Sequence, residues 1–172
     1  MNAQSDLVPN QGRRALWRTQ LGMALFWLAA LGALYLAMDR WLQPAAVTVQ
    51  ADGSVQLQRH RDGHFYAAGQ INGQPVQFLV DTGATAVAVT DALAEAAGLH
   101  GGQAATFSTA NGDRPGRLVR ADTVAVGPLR IRQLTVGTGY TGATPQSALL
   151  GQNFLKHYDV RMRGDVMEIR PR

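Results

Sequence analysis

Hydrophobic and polar positions divide the chain into two unlike parts. Residues 19–38 carry no charge, and from Leu21 onward the run is almost wholly apolar. It has no polar face, so a helix there does not suit one side of a soluble core. Twenty helical residues rise about 30 Å, the thickness of a bilayer core. Asp39 and Arg40 stop the run, and Pro44 ends a helix. The pattern predicts a single transmembrane anchor over 19–42 behind a polar tail, 1–18. A cleaved signal peptide is the rival reading. The run is long for one, and no small-x-small cleavage site follows Met38.

Past Pro44 the pattern becomes that of strands and turns. Residues 43–58 read as a linker or an outlying strand, with 55–59 able to extend. Residues 64–71 and 74–80 flank Asn72-Gly73, the strongest short hairpin signal. Val76, Phe78 and Val80 alternate with Gln77 and Leu79, so one face is apolar and the other becomes so toward residue 80. Thr90-Asp91 predicts the cap of a short helix over 92–97, closed by Gly98. Strands follow at 106–109 and 117–126 on either side of Asn111-Gly112, with Pro115-Gly116 loosening the second arm. Further strands are expected at 129–136 and 148–150, then one or two helical turns in 152–157. A last hairpin pairs 159–162 with 166–169 around Gly164-Asp165. The expectation is an all-β domain over 59–172 with one or two short helices.

Charge refines this picture. The net charge is +4, but Arg13, Arg14, Arg18 and Arg40 flank the apolar run. From Gln43 onward 12 Lys and Arg stand against 10 Asp and Glu, about +2. That leaves no nucleic-acid footprint, and no aromatic residues interleave with the arginines. Three of the flanking arginines precede the run, which places the N-terminus in the cytoplasm and the domain outside. Trp17 and Trp41 lie near its two ends, as interfacial rings do. Ala29, Ala33 and Ala37 share one helical face and would let two such helices approach closely. The chain has no cysteine, which excludes disulfides and thiol catalysis.

The candidate chemistry centres on residues 78–85, Phe-Leu-Val-Asp-Thr-Gly-Ala-Thr. A carboxylate buried at the end of an apolar strand is costly unless it is hydrogen-bonded or shares a proton. Asp81 is therefore expected to have a use. Thr82 offers a hydroxyl to a neighbouring chain, and Gly83 lets the backbone turn its amides toward the carboxylate. Some seventy residues later comes Ala148-Leu149-Leu150-Gly151, followed by a short helix. Other motifs are weaker. Gly137-x-Gly139-x-x-Gly142 has the dinucleotide spacing, but Ala143-Thr144-Pro145 opens no helix to receive a pyrophosphate. His60 and His64 are four apart, but Gly63 argues against a shared helix, and no third metal ligand is evident. Asp113, Asp122, Asp159 and Asp165 sit at turns or strand ends and read as solvated.

Two apolar residues before Asp81-Thr82-Gly83-Ala84, a middle hairpin, and Leu149-Leu150-Gly151 before a short helix form a pattern. It resembles that of the retropepsin-like aspartic proteases. The resemblance covers about residues 60–170. It is strongest to bacterial members with one N-terminal membrane span, including Gly63-His64-Phe65 and the hairpin Thr109-Ala110-Asn111-Gly112. Thr85 departs from the Ser or Asp of many relatives.

The resemblance implies a closed β-barrel lobe with one catalytic aspartate, Asp81. The family's mechanism needs two, so a homodimer is implied, its two carboxylates sharing a proton. Thr82, Gly83 and Ala84 would support the site, and Leu150 and Gly151 would pack beneath it. Thr109, Ala110, Asn111 and Gly112 would form a flap over a protein or peptide substrate. No cofactor or metal is implied. The implied setting is the bacterial inner membrane, single-pass, with the protease domain periplasmic. The competing reading is a catalytically inactive lobe that holds an extended peptide by strand addition.

Overall fold

The computed structural model describes residues 11–42, 47–109 and 112–172 and, in its first helix, the side chains of 20–38. Two compact units are present, 1–43 and 44–172.

The first unit is the helix α1 (Gln11–Leu42). It starts well inside the expected polar tail, because residues 13–18, Arg-Arg-Ala-Leu-Trp-Arg, contain no Gly or Pro and hold good helix formers. The stretch Gln20–Met38, with mean hydropathy 2.0, is long and apolar enough to cross a membrane. Apart from Ala30, every described side chain of α1 is exposed, Ala29, Ala33 and Ala37 included.

The second unit is mostly β. In chain order it holds β1 (Thr48–Val49), β2 (Val55–Gln58), β3 (Tyr66–Ile71), β4 (Gln74–Val80), β5 (Val87–Val89), α2 (Asp91–Ala96) and β6 (Gln103–Thr109). Then come β7 (Gly112–Val126), β8 (Leu129–Gly137), β9 (Ser147–Leu150), α3 (Gln152–Leu155), β10 (Tyr158–Arg163) and β11 (Val166–Pro171). Seven strands order as β3-β4-β9-β5-β8-β7-β6, and a further β3–β7 pairing closes six of them into a barrel. The remaining four make a sheet ordered β1-β2-β11-β10. Of the stretch read as a linker or an outlying strand, β1 and β2 are thus sheet. β2 pairs with β11, and Val55 and Leu57 are buried.

The alternation in β4 decides how the barrel fills. Val76, Phe78 and Val80 point inward, and Phe78 has no exposed surface. Its burial contributes about 1.5–3 kcal/mol. One continuous core joins these residues to Val87, Val136 and Leu150 of the barrel and to Val55, Leu57, Met167 and Ile169 of the four-stranded sheet. The hairpin between β3 and β4 turns at Asn72 (φ 49°) and Gly73 (φ 82°), the two positive φ values of a type I′ turn. Asn72 also acts as a staple. Its amide nitrogen donates to the Ala97 carbonyl at 2.9 Å, and its side-chain oxygen accepts from the Thr123 amide at 3.1 Å.

The loosening expected at Pro115-Gly116 does not interrupt the strand, and β7 runs unbroken through both. The Pro115 carbonyl faces Gly139, so its nitrogen faces the same side, away from β6. The ladder with β8 starts only at Leu118, paired with Gly137. No amide is needed where Pro115 lacks one.

Candidate active site

Asp81 leaves the end of β4, and the neighbouring β9 fixes that end. The two strands are parallel, with Phe78 beside Ala148, Leu79 beside Leu149 and Val80 beside Leu150. The Asp81 amide continues the ladder by donating to the Leu150 carbonyl at 3.2 Å. The chain then turns back, with the Ala84 amide donating to the Asp81 carbonyl at 3.3 Å. This turn aims the Gly83 amide at the Asp81 side chain, 2.8 Å from Oδ1. A charge-assisted bond of this kind fixes the carboxylate's direction.

The carboxylate is not the fully buried group expected from the apolar strand. Val80 is the last buried residue of β4, and the turn after it carries Asp81 to a half-exposed position. Thr82 and Gly83 are exposed.

The start of α3 holds the turn from behind. The Gln152 and Asn153 amides donate to the Ala84 and Thr85 carbonyls at 2.8 and 3.0 Å. The Gln152 side chain donates to the Thr82 carbonyl at 2.9 Å. Asn153 reaches both ways, accepting from the Val87 amide at 2.9 Å and donating to the Thr135 carbonyl at 2.7 Å. Leu150 is buried, and Gly151 sits so close that a Cβ on it would lie 2.3 Å from the Ala86 carbonyl oxygen. Its φ of −91° is open to any residue, so the contact, not the backbone conformation, requires glycine.

A cavity of about 340 Å³ opens beside this turn. Residues 83–88 form one wall, and Phe107, Ser108, Thr109 and Arg114 of the β6–β7 hairpin form another. Thr138 to Thr141 and Leu149 close it. Thr109 faces Gly112 across the hairpin and donates to its carbonyl at 2.7 Å, whereas Ala110 and Asn111 of the expected flap lie outside the described residues. Phe107 lies over Gly116 and Gly137, where any side chain would collide with its ring. Thr138 is buried and locks the hairpin root. Its amide donates to the Arg117 carbonyl at 2.9 Å, and its hydroxyl accepts from the Arg117 amide at 3.1 Å.

Tyr140 is half-buried in the cavity wall. Burial, and then the nearby Asp81 charge, raise the pKa of its phenol, which therefore stays a donor near neutral pH. Asn153, Thr138 and Tyr140 are contributors that the sequence did not single out. The pair Gln152-Asn153 at a helix start was the one legible sign, because such residues often reach backbone groups.

The sequence dinucleotide spacing ends in no helix. Gly137 closes β8, and Gly139 has φ 87° in a loop. His60 and His64 instead flank Asp62, at 3.2 and 3.3 Å from Oδ1. Among the described residues no cluster of three or more His, Cys, Asp or Glu is placed to hold a metal.

Residues 67–157 match the family described as gag-polyprotein putative aspartyl protease. The chain belongs to that family. The retropepsin-like lobe also has a solved structural counterpart, a retropepsin-like aspartic protease from Rickettsia conorii. The two share 25% identity at a TM-score of 0.56, over 68% of this chain and 88% of that one. Two sequence relatives are an uncharacterized protein from the cobV 5′ region of a Sinorhizobium species and an uncharacterized protein of Rickettsia prowazekii. The first is 32% identical over 75% of this chain and 58% of its own length. The second is 32% identical over 44% of this chain and 34% of its own length. The chain thus spans little more than half, and about a third, of the curated relatives it matches.

Proposed function

We propose that this retropepsin-like chain is an aspartic endopeptidase that works as a homodimer. The observation that carries the reading is the Asp81 carboxylate, held by the Gly83 amide at the edge of a groove between the turn and the β6–β7 hairpin. One chain has one Asp-Thr-Gly, so one lobe supplies one carboxylate. Two lobes facing each other through Thr82 and Gly83, both exposed here, bring two Asp81 side chains together.

Two close carboxylates cannot both ionise comfortably, so the pair holds one proton. The ionised member takes a proton from a water as it attacks the scissile carbonyl. The protonated member gives its proton to the carbonyl oxygen. The first member, now carrying the water's proton, passes it to the amine as the C–N bond breaks, while the second takes a proton back from the diol. The Gly83 amide fixes the direction of each carboxylate, and the hairpin 103–126 closes over an extended peptide and excludes water.

α1 serves as the anchor in this reading, with the arginines before it in the cytoplasm and the lobe in the periplasm. Confinement to a plane raises the chance that two lobes meet. Asp81→Asn is the test. The variant should keep its fold by circular dichroism and lose peptide cleavage by at least about 100-fold. A pepstatin-type transition-state mimic should bind the wild type and block it. Wild-type rates in Asp81→Asn would sink the assignment. A folded wild type that neither cleaves peptides nor binds the mimic would favour a peptide-holding lobe.

A further inference from the structure

The cavity beside Asp81 has an uneven charge. Of the side chains that line it, Arg114 alone carries a formal charge. The rest are small apolar groups, Phe107, Tyr140 and hydroxyls. Arg114 stands on β7 opposite Phe107 of β6, and its guanidinium donates to the Thr141 hydroxyl across the cavity. Among the described residues no carboxylate pairs with it. The nearest acid in sequence, Asp113, is turned to the Ser108 hydroxyl at 2.7 Å. A guanidinium has five N–H donors in a planar fork. One neutral hydroxyl meets part of it, and at this exposed residue the remainder is left to water that a ligand can displace.

We infer that this cavity reads a carboxylate of the bound peptide, and that Arg114 is its specificity-determining residue. The inference rests on the endopeptidase reading above. A carboxylate takes two parallel hydrogen bonds from the fork, whereas an apolar side chain would desolvate an unpaired cation. Tyr140, whose phenol stays protonated, adds a second donor to the same wall. The volume, about 340 Å³, lies at the lower end of the range for ligand pockets, of order 300–1,000 Å³, and accepts a Glu or Asp side chain. Phe107 gives its stem an apolar surface. A chain-terminal carboxylate would present the same chemistry.

The test uses the full chain in detergent and quenched peptides blocked at both ends. Each pair differs by Glu against Gln at one position near the cut. For wild type, kcat/KM should favour Glu by roughly 10–100-fold at one position, the range of a charge-assisted hydrogen bond. Arg114→Gln should bring that ratio to about one, whatever its residual activity. Arg114→Lys should leave it intermediate, because the charge stays and the fork is lost. A parallel set with free and amidated C-termini separates the two sources. A preference for the free end that Arg114→Gln abolishes would move the recognised carboxylate to the chain terminus and overturn the side-chain assignment. An unchanged Glu-to-Gln ratio in Arg114→Gln, or no acidic preference in wild type, overturns the proposal. If no peptide is cut at all, the endopeptidase reading fails separately. Binding of the same peptides to Asp81→Asn by fluorescence anisotropy then still decides whether Arg114 selects Glu over Gln.

Discussion

Gly151→Ala probes whether the support behind Asp81 is as tight as its geometry. The added Cβ would lie 2.3 Å from the Ala86 carbonyl oxygen and 2.8 Å from that of Ala84. Ordinary contact starts at 3.4 Å, so the methyl falls short by about 1 Å. Both obstacles are backbone atoms and cannot rotate away. The mutant must push residues 84–86 outward or draw α3 back. Overpacking of this kind costs about 1–3 kcal/mol, which lowers Tm by about 3–10 °C for a domain of this size. The displaced segment follows directly on the Gly83 amide that holds Asp81. A misplacement of about 1 Å near a reacting group costs on the order of 100-fold in rate. Calorimetry and peptide cleavage, measured well below Tm, should therefore show a modest loss of stability beside a large loss of kcat/KM. Gly164→Ala is the control. Its φ is 56° and nothing lies within 4 Å of an added Cβ, so alanine there costs about 1–2 kcal/mol of backbone strain without pressing on residues 81–86. Wild-type stability and rate in Gly151→Ala would refute the contact. Equal rate losses in both variants would show that stability, not the turn, sets the activity.

Three further predictions concern the two ends of β3. Burial opposes ionisation of Asp62, but hydrogen bonds from the Tyr66 phenol and the His64 amide, with the His60 imidazole close by, outweigh it and hold its pKa well below the usual carboxylate range. Its contribution to stability is thus complete above about pH 4 and is lost as pH falls further, so Asp62→Asn should flatten the acid limb of a Tm-against-pH curve. Tyr66 is shifted the other way, by burial first and then by Asp62, up to about 12. Its stabilisation is complete below about pH 10 and disappears as pH rises through about 12. A difference titration against Tyr66→Phe should place its absorbance change there, and Asp62→Asn should lower the midpoint while leaving it above 10. Asn72→Gly keeps the turn but removes the bonds to Ala97 and Thr123, and should cost about 1–3 kcal/mol in urea unfolding. Asn72→Ala should cost about 1 kcal/mol more, because φ there is 49°.

The hairpin around Asn72, the cap at Thr90 and the strand into Asp81 were legible because each rests on local chemistry. Thr90 does cap α2, accepting from the Leu93 amide at 3.1 Å. The loosening expected at Pro115 does not interrupt β7, because a proline's cost depends on the neighbour it faces, which lies in another part of the chain. Residues 55–59 read as able to extend, but what β2 pairs with was hidden for a similar reason. Its partner, β11, begins more than a hundred residues later. Asp81 could be picked out from its motif, but not its half-exposed setting, which depends on where the chain turns after Val80. Arg114 and Thr141 are 27 residues apart and carry no motif, so their meeting across the cavity belongs to the fold alone.

The barrel closes unevenly. β7 and β8 match along eight residue pairs, whereas β3 and β7 meet at two, Gln70 with Ala125 and Ile71 with Val124. That seam lies at the Asn72 end of the β3–β4 hairpin, and Asp81 follows the opposite end. Gly69 lets the strands meet there, since a Cβ on it would lie 2.3 Å from the Ala125 carbonyl oxygen. Two ladders beside the Asp81 turn are as short, β5 with β8 and β5 with β9, at two pairs each. Local opening favours segments with few backbone pairings. At the seam it would leave the β4–β9 pairing and the α3 clamp in place. Around β5 it would release the Val87 amide from Asn153 and one wall of the cavity. Loosening of the shell reaches the carboxylate's setting in the second case only.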